Sequence, residues 1–77
     1  MIKVKVYSTQ TCPFCDKLKD FLKEHKVKFE DFDVNEDRNA ALEMIKKSKQ
    51  TGVPVIEIDG KIIAGFDVLK IKKALGL

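Results

Sequence analysis

The sequence predicts an α/β fold: a β-α-β-α-β-β-α chain with a mixed four-stranded sheet and helices on both faces. Three observations predict it. Ile2-Lys3-Val4-Lys5-Val6-Tyr7 alternates strictly and is rich in β-branched residues, the mark of a half-buried strand. Immediately after it the apolar period changes to that of a helix, with Phe14, Leu18, Phe21 and Leu22 at i, i+4, i+7 and i+8. Near the end, Val53–Ile58 and Lys61–Ala64 flank Asp59-Gly60, a dipeptide suited to the positive φ angles of a tight hairpin turn.

The first strand, Ile2–Tyr7, places Ile2, Val4 and Val6 on one face and the lysines on the other. Ser8-Thr9-Gln10-Thr11 ends it. Pro13 then stands where a helix tolerates proline, so a helix starts at Cys12 or Pro13. Asp16, Lys17, Lys19, Asp20, Lys23 and Glu24 occupy its polar side. Val27–Val34 mixes aromatic and β-branched residues with charges, as an edge strand does. Asn35 is placed to cap a helix over residues 36–49, with acids at its start, lysines at its end, and Ala41, Leu42, Met44 and Ile45 available for burial. Gln50-Thr51-Gly52 ends that helix. After the hairpin and Gly65-Phe66, Asp67 caps a last helix with Val68, Ile71 and Leu75 on one face, stopped by Gly76.

The first β-α-β unit requires parallel strands, and the terminal hairpin adds an antiparallel edge. A central first strand is covered on both faces, yet Lys3 and Lys5 share one, so that face is expected to be open near the strand's start.

The 77 residues form one small domain, 1–77, with no linker, internal repeat or low-complexity segment. At this size folding hides only about 60–65% of the unfolded chain's surface, which leaves little room for a large internal cofactor. No apolar run approaches a membrane span, and the first residues lack the apolar core of a signal peptide, so a soluble, cytoplasmic protein is expected. The net charge is +3, and 14 of the 15 basic residues are Lys, with Arg38 alone. That composition is poor for phosphate forks or base readout, which argues against a nucleic-acid partner.

Cys12-Pro13-Phe14-Cys15 contains the chain's two cysteines and stands at a strand-to-helix junction. The unpaired N–H groups and positive dipole end of the helix favour an anion at Cys12, making it a thiolate nucleophile. Residues i and i+3 share a helix face, so Cys15 can approach Cys12 closely enough for a reversible disulfide. Cys15 lies one turn deeper and is suited to be the resolving thiol. Two other uses are open to the pair. A structural disulfide closing so short a loop would constrain the unfolded chain by only about 2 kcal/mol. Half of a zinc site would need two more good ligands, and His25 is the one further soft candidate. His25 itself reads as a solvated side chain at a helix end. Tyr7, Phe29 and Phe32 read as packing residues, and Phe14 as a contact surface for a partner.

Cys12-Pro13-Phe14-Cys15 after a short strand, Val53-Pro54 before a strand, and Gly65-Phe66-Asp67 before the last helix together resemble the glutaredoxin family of the thioredoxin-like fold. The resemblance spans nearly the whole chain, with Phe14 replacing the family's tyrosine. It implies that Cys12 is catalytic nucleophile and Cys15 resolving thiol. It also implies that Pro13, Phe14, Val53, Pro54, Gly65, Phe66 and Asp67 bind substrate. Pro54 would be cis and face the cysteines, Val53 would pair its backbone with bound substrate, and Asp67 would meet the α-amino group of glutathione. Proline this early in a strand fits that expectation, since X-Pro bonds are where cis peptides occur.

Departures concern glutathione. Thr9 stands where the family usually has Lys or Arg, so one charge-assisted contact is missing unless Lys47 or Lys49 swings in. Thr51-Gly52-Val53-Pro54 looks more like a thioredoxin segment, the usual Gly-Gly pair reads Ala64-Gly65, and thioredoxin's tryptophan is absent. The chain is thus most similar to small glutaredoxin-like redoxins of the NrdH type, which feed electrons to ribonucleotide reductase. The implied function is dithiol–disulfide exchange on disulfide-containing protein or small-molecule substrates, within cell redox homeostasis. Electrons would come from glutathione or a thioredoxin-reductase-like flavoenzyme, to a monomer holding no metal and no tightly bound cofactor. Two rivals are an iron–sulfur or metal carrier of the glutaredoxin type and a non-catalytic, peptide-binding adaptor.

Overall fold

A computed structural model describes residues 3–77, so the expectation for Ile2 lies outside the described residues. The element order is β1 (Val4–Ser8), α1 (Pro13–Glu24), β2 (Glu30–Asp33), α2 (Arg38–Ser48), β3 (Val55–Ile58), β4 (Lys61–Ala64) and α3 (Val68–Leu75). The four strands form one mixed sheet in the order β2-β1-β3-β4. β1 runs parallel to β2, with Tyr7 opposite Phe32, and antiparallel to β3, with Tyr7 opposite Val55. β3 and β4 form the expected hairpin, Val55 opposite Ala64, and its turn residues Asp59 and Gly60 have φ of 51° and 91°.

The period-2 pattern of the strands sorts the core into two layers. On one face Val4, Val6, Ile56, Ile58 and Ile63 pack against Leu18 and Leu22 of α1 and Ile71 and Leu75 of α3. On the other, Tyr7 and Val55 meet Ala40 and Met44 of α2. The first layer is the larger, and truncating Leu18 or Leu22 there, each fully buried, would cost about 2–5 kcal/mol.

The second layer is closed at its periphery by charge. Lys3 is exposed, as the opening of that face requires, but Lys5 is half-buried and covered. Its ammonium lies 6.0 Å from the Phe32 ring centroid and 3.8 Å from Glu43 of α2. Glu43 also accepts the Tyr7 hydroxyl at 3.1 Å and Lys47 at 2.6 Å, and Lys47 bonds Glu57 of β3 at 2.6 Å. Lys47 holds Glu43 below the usual carboxylate range, with the Tyr7 hydroxyl adding to the effect.

Three boundaries differ from expectation. β2 is shorter than residues 27–34, because Val27 and Phe29 turn into the first core layer instead of pairing. β3 begins at Val55 and not Val53, since Pro54 has no N–H for the ladder. α2 is capped by Asp37, not Asn35. Asp33 gathers the preceding N–H groups: its carboxylate accepts Asn35 N–H at 2.9 Å and its carbonyl accepts Asp37 N–H at 2.8 Å. Asp37 is then extended, and its carboxylate accepts the Ala40 N–H at 3.0 Å. The buried stripe of α2 is therefore Ala40 and Met44, while Leu42 and Ile45 face outward.

Candidate active site

Three separate stretches meet at one end of the sheet. β1 leads directly into the turn before Cys12. Because Tyr7 opposes Val55, the Val53-Pro54 segment continues alongside Ser8 and Thr9, toward that turn. Because Val55 opposes Ala64, Gly65 continues alongside Pro54, and its N–H donates to the Pro54 carbonyl at 2.8 Å. The Val53-Pro54 bond is cis, and Pro54 is buried.

α1 begins as the sequence dictates, with Pro13 at its first position and Cys12 as N-cap in extended conformation. A sulfur here takes the place of the usual capping oxygen: the Cys15 N–H donates to the Cys12 Sγ at 3.2 Å, and the Asp16 N–H donates to the Cys12 carbonyl. Both cysteines are free thiols. Cys12 is half-exposed and Cys15 fully buried. Burial pushes the Cys15 thiol up to about 12, and its hydrogen bond to Cys12 adds to this; the backbone of Thr9 and the charge of Lys19 oppose it. One sulfur is accessible, the other sequestered as a thiol beside it.

Around this pair, Phe14 is 58% exposed, with the Lys17 ammonium 5.2 Å from its ring centroid. Pro13 is exposed as well. Val53 is half-buried against the Tyr7 layer, leaving its backbone beside the site. Phe66 faces inward: its ring lies edge-on to Phe21 at 6.0 Å, against the first core layer, so it anchors the loop more than it offers surface. Asp67 caps α3, one carboxylate oxygen accepting the Lys70 N–H at 3.2 Å. Of the two lysines expected to stand in for the missing base at Thr9, Lys47 is engaged by Glu43 and Glu57, and Lys49 is exposed at the end of α2. His25 sits at the far end of α1, its Nδ1 3.0 Å from the Phe21 carbonyl.

Three linked residues on β1, β2 and α1 carry no role in the sequence reading. Ser8, fully buried at the end of β1, donates its hydroxyl to Asp31 of β2 at 2.8 Å. The other Asp31 oxygen takes the Lys19 ammonium at 2.8 Å. The i, i+4 spacing of Cys15 and Lys19 was the available signal, masked because Lys19 looks like one more solvated lysine. Among the described residues no group of three or more His, Cys, Asp or Glu side chains could hold a metal ion. No helix among them is long and apolar enough to cross a membrane.

A glutaredoxin family model matches residues 4–63. An uncharacterized glutaredoxin-like 8.6 kDa protein in the rubredoxin operon of Clostridium pasteurianum is 49% identical over 72 residues, covering 94% of this chain and 96% of that protein. Glutaredoxin 3 of Escherichia coli K12 is 37% identical over 76 residues, 99% of this chain and 92% of its own length. A crystal structure of a thioredoxin-like protein superposes with a TM-score of 0.88 at 35% identity, covering 94% of this chain and 99% of that one. The fold is also that of NrdH-redoxin from Escherichia coli, with a TM-score of 0.81 at 20% identity over 92% of each chain. With the cysteine pair at the start of α1 and a family match across most of its length, the chain belongs to the glutaredoxin family.

Proposed function

We propose that the protein is a dithiol–disulfide oxidoreductase that reduces protein or small-molecule disulfides through a reversible Cys12–Cys15 disulfide. The observation that carries this reading is the pairing of a half-exposed sulfur at a helix start with a buried thiol three residues on, joined by the 3.2 Å bond from the Cys15 N–H. Cys12, as thiolate, attacks one sulfur of the substrate disulfide; a mixed disulfide forms and a substrate thiolate leaves. Cys15 then attacks the Cys12 sulfur, closing the internal disulfide and releasing the second substrate thiol. Two electrons pass from the pair to the substrate. Val53, Pro54 and Gly65 form the edge along which an extended substrate segment would lie, and Pro13 and Phe14 contact its flank.

The oxidised pair needs a reductant, and the reading assigns a thioredoxin-reductase-like flavoenzyme over glutathione. Thr9 offers no charge to a glutathione carboxylate, and Lys47 is held elsewhere. One lost charge-assisted bond is worth about 1.5–3 kcal/mol, roughly one to two decades of affinity. Asp67 remains to meet an ammonium. No tightly bound cofactor is needed, and the proposed setting is the cytoplasm, where disulfides are reducible. A coupled assay following NADPH decides: disulfide reduction should run faster with a thioredoxin-reductase-type enzyme than with glutathione and its reductase. Rapid turnover with glutathione alone would reassign the donor, and no reduction by the dithiol protein under either system would overturn the function.

A further inference from the structure

Ser8, Asp31 and Lys19 form a chain of polar contacts across β1, β2 and α1. Lys19 follows Cys15 by one helical turn on the same side of α1, where side chains four apart are neighbours. Its ammonium is fixed 2.8 Å from one oxygen of Asp31, whose other oxygen is fixed at 2.8 Å by the buried Ser8 hydroxyl. Ser8 is next to Thr9, at the strand end from which the chain enters the cysteine turn. Three elements, β1, β2 and α1, thus fix the ammonium of a side chain that starts one helical turn after Cys15.

We propose that Lys19, clamped by Asp31 and Ser8, is a positioning residue that stabilises the thiolate of Cys15 when it resolves the mixed disulfide. The inference rests on the disulfide-exchange reading above. In that step the Cys15 S–H loses its proton, the Cys15 sulfur bonds to Cys12, the Cys12–substrate S–S bond breaks, and the departing thiolate takes up a proton. Cys15 is oxidised from thiol to disulfide, the substrate sulfur is reduced to a thiol, and Cys12 stays at the disulfide level throughout. A fully buried thiol resists ionising, and Lys19 is the charged side chain that eases it. The other groups near Cys15 are accounted for. Cys12 is neutralised by its bond to substrate, and the Thr9 backbone favours the thiolate from β1. On β2, Asp31 is engaged by Lys19 and Ser8, and Asp16 on α1 is exposed. Asp67, from the loop before α3, caps its own helix.

The test uses the reduced protein mixed rapidly with the chromogenic dithiobis-nitrobenzoate disulfide. One coloured thiolate leaves when Cys12 attacks, and a second when Cys15 resolves, at a rate independent of reagent concentration. The second rate rises with pH as the Cys15 thiolate becomes populated. Lys19→Met keeps the aliphatic stem and should slow the second release about three- to tenfold near neutral pH, moving its profile to higher pH. Lys19→Arg should restore both. In an Asp31→Asn background the loss from Lys19→Met should shrink, since the ammonium is no longer held in place. A wild-type rate and profile in Lys19→Met, or Lys19→Arg as slow as Lys19→Met, would overturn the inference. A wild-type protein that releases only one thiolate would instead overturn the exchange reading itself.

Discussion

The Cys15 N–H donates to the Cys12 sulfur across 3.2 Å, so the sulfur proposed as nucleophile is also the cap of the helix that carries its partner. One residue position both caps the helix and holds the two thiols close together. This relationship sets the chemical inequality of the pair and the first expected outcome.

Alkylation of the reduced protein should modify Cys12 and spare Cys15, which is fully buried. Cys12→Ser should abolish disulfide reduction. Cys15→Ser should keep the first attack and accumulate a mixed disulfide with substrate, visible as an adduct in intact-mass measurement. Equal labelling of both cysteines, or no adduct in Cys15→Ser, would contradict the assignment.

Stability should fall in alkali. Burial is the leading cause that raises Tyr7 from 10.0 to about 12, and burial likewise raises Cys15 from 9.0 to about 12. Between about pH 9 and 12 the unfolded chain therefore releases protons that the folded chain retains. Stability is fully present below about pH 9 and is lost as pH rises toward 12, by an amount of the order of a few kcal/mol. Denaturant midpoints against pH measure this. Tyr7→Phe should flatten the upper part of the slope and Cys15→Ser the part that begins near pH 9. A slope unchanged in both variants would mean that neither group is responsible.

Asp37→Ala should destabilise the protein by about 1 kcal/mol, the usual worth of a helix cap, whereas Asn35→Ala should cost less than half of that. Chemical denaturation of the two variants under one condition checks the ranking. The reverse order would return the start of α2 to Asn35.

Phe14→Ala removes an exposed ring, so its stability should change by no more than about 0.5 kcal/mol. If the ring contacts the substrate chain, KM for a protein disulfide should rise severalfold while turnover of a small aliphatic disulfide is kept. Equal loss on both substrates would assign Phe14 to the chemistry and not to recognition.

Most of the architecture is legible because hydrophobic period, proline placement and the Asp59-Gly60 turn each specify local geometry without help from distant residues. The cysteine pair is legible for the same reason: its spacing and its helix start are local. What escapes the sequence depends on three-dimensional competition. Asn35 and Asp37 are both good caps, and Asp33 decides between them by taking up the intervening N–H groups. Met44 is buried as its period requires, but Leu42 and Ile45 satisfy the same period and face outward, and Ala40 joins Met44 against the sheet. Lys5, Lys19 and Lys47 look alike in the chain. Only folding pairs Lys5 with Glu43, Lys19 with Asp31, and Lys47 with both Glu43 and Glu57.

The bond from Gly65 to Pro54 ties the hairpin's far end to the edge where a substrate would lie, and the hairpin is set by a two-residue turn 5 positions away. Pairing in a sheet has a period of two, so slipping β4 by a single residue would turn Ile63 out of the core and carry Gly65 away from Pro54. The two thiols would survive such an error intact, titratable and still three residues apart. The surface that presents a disulfide to them would not. Inserting one residue between Asp59 and Gly60 would therefore separate reagent chemistry from recognition, leaving a chain that small electrophiles still label and that macromolecular disulfides no longer oxidise.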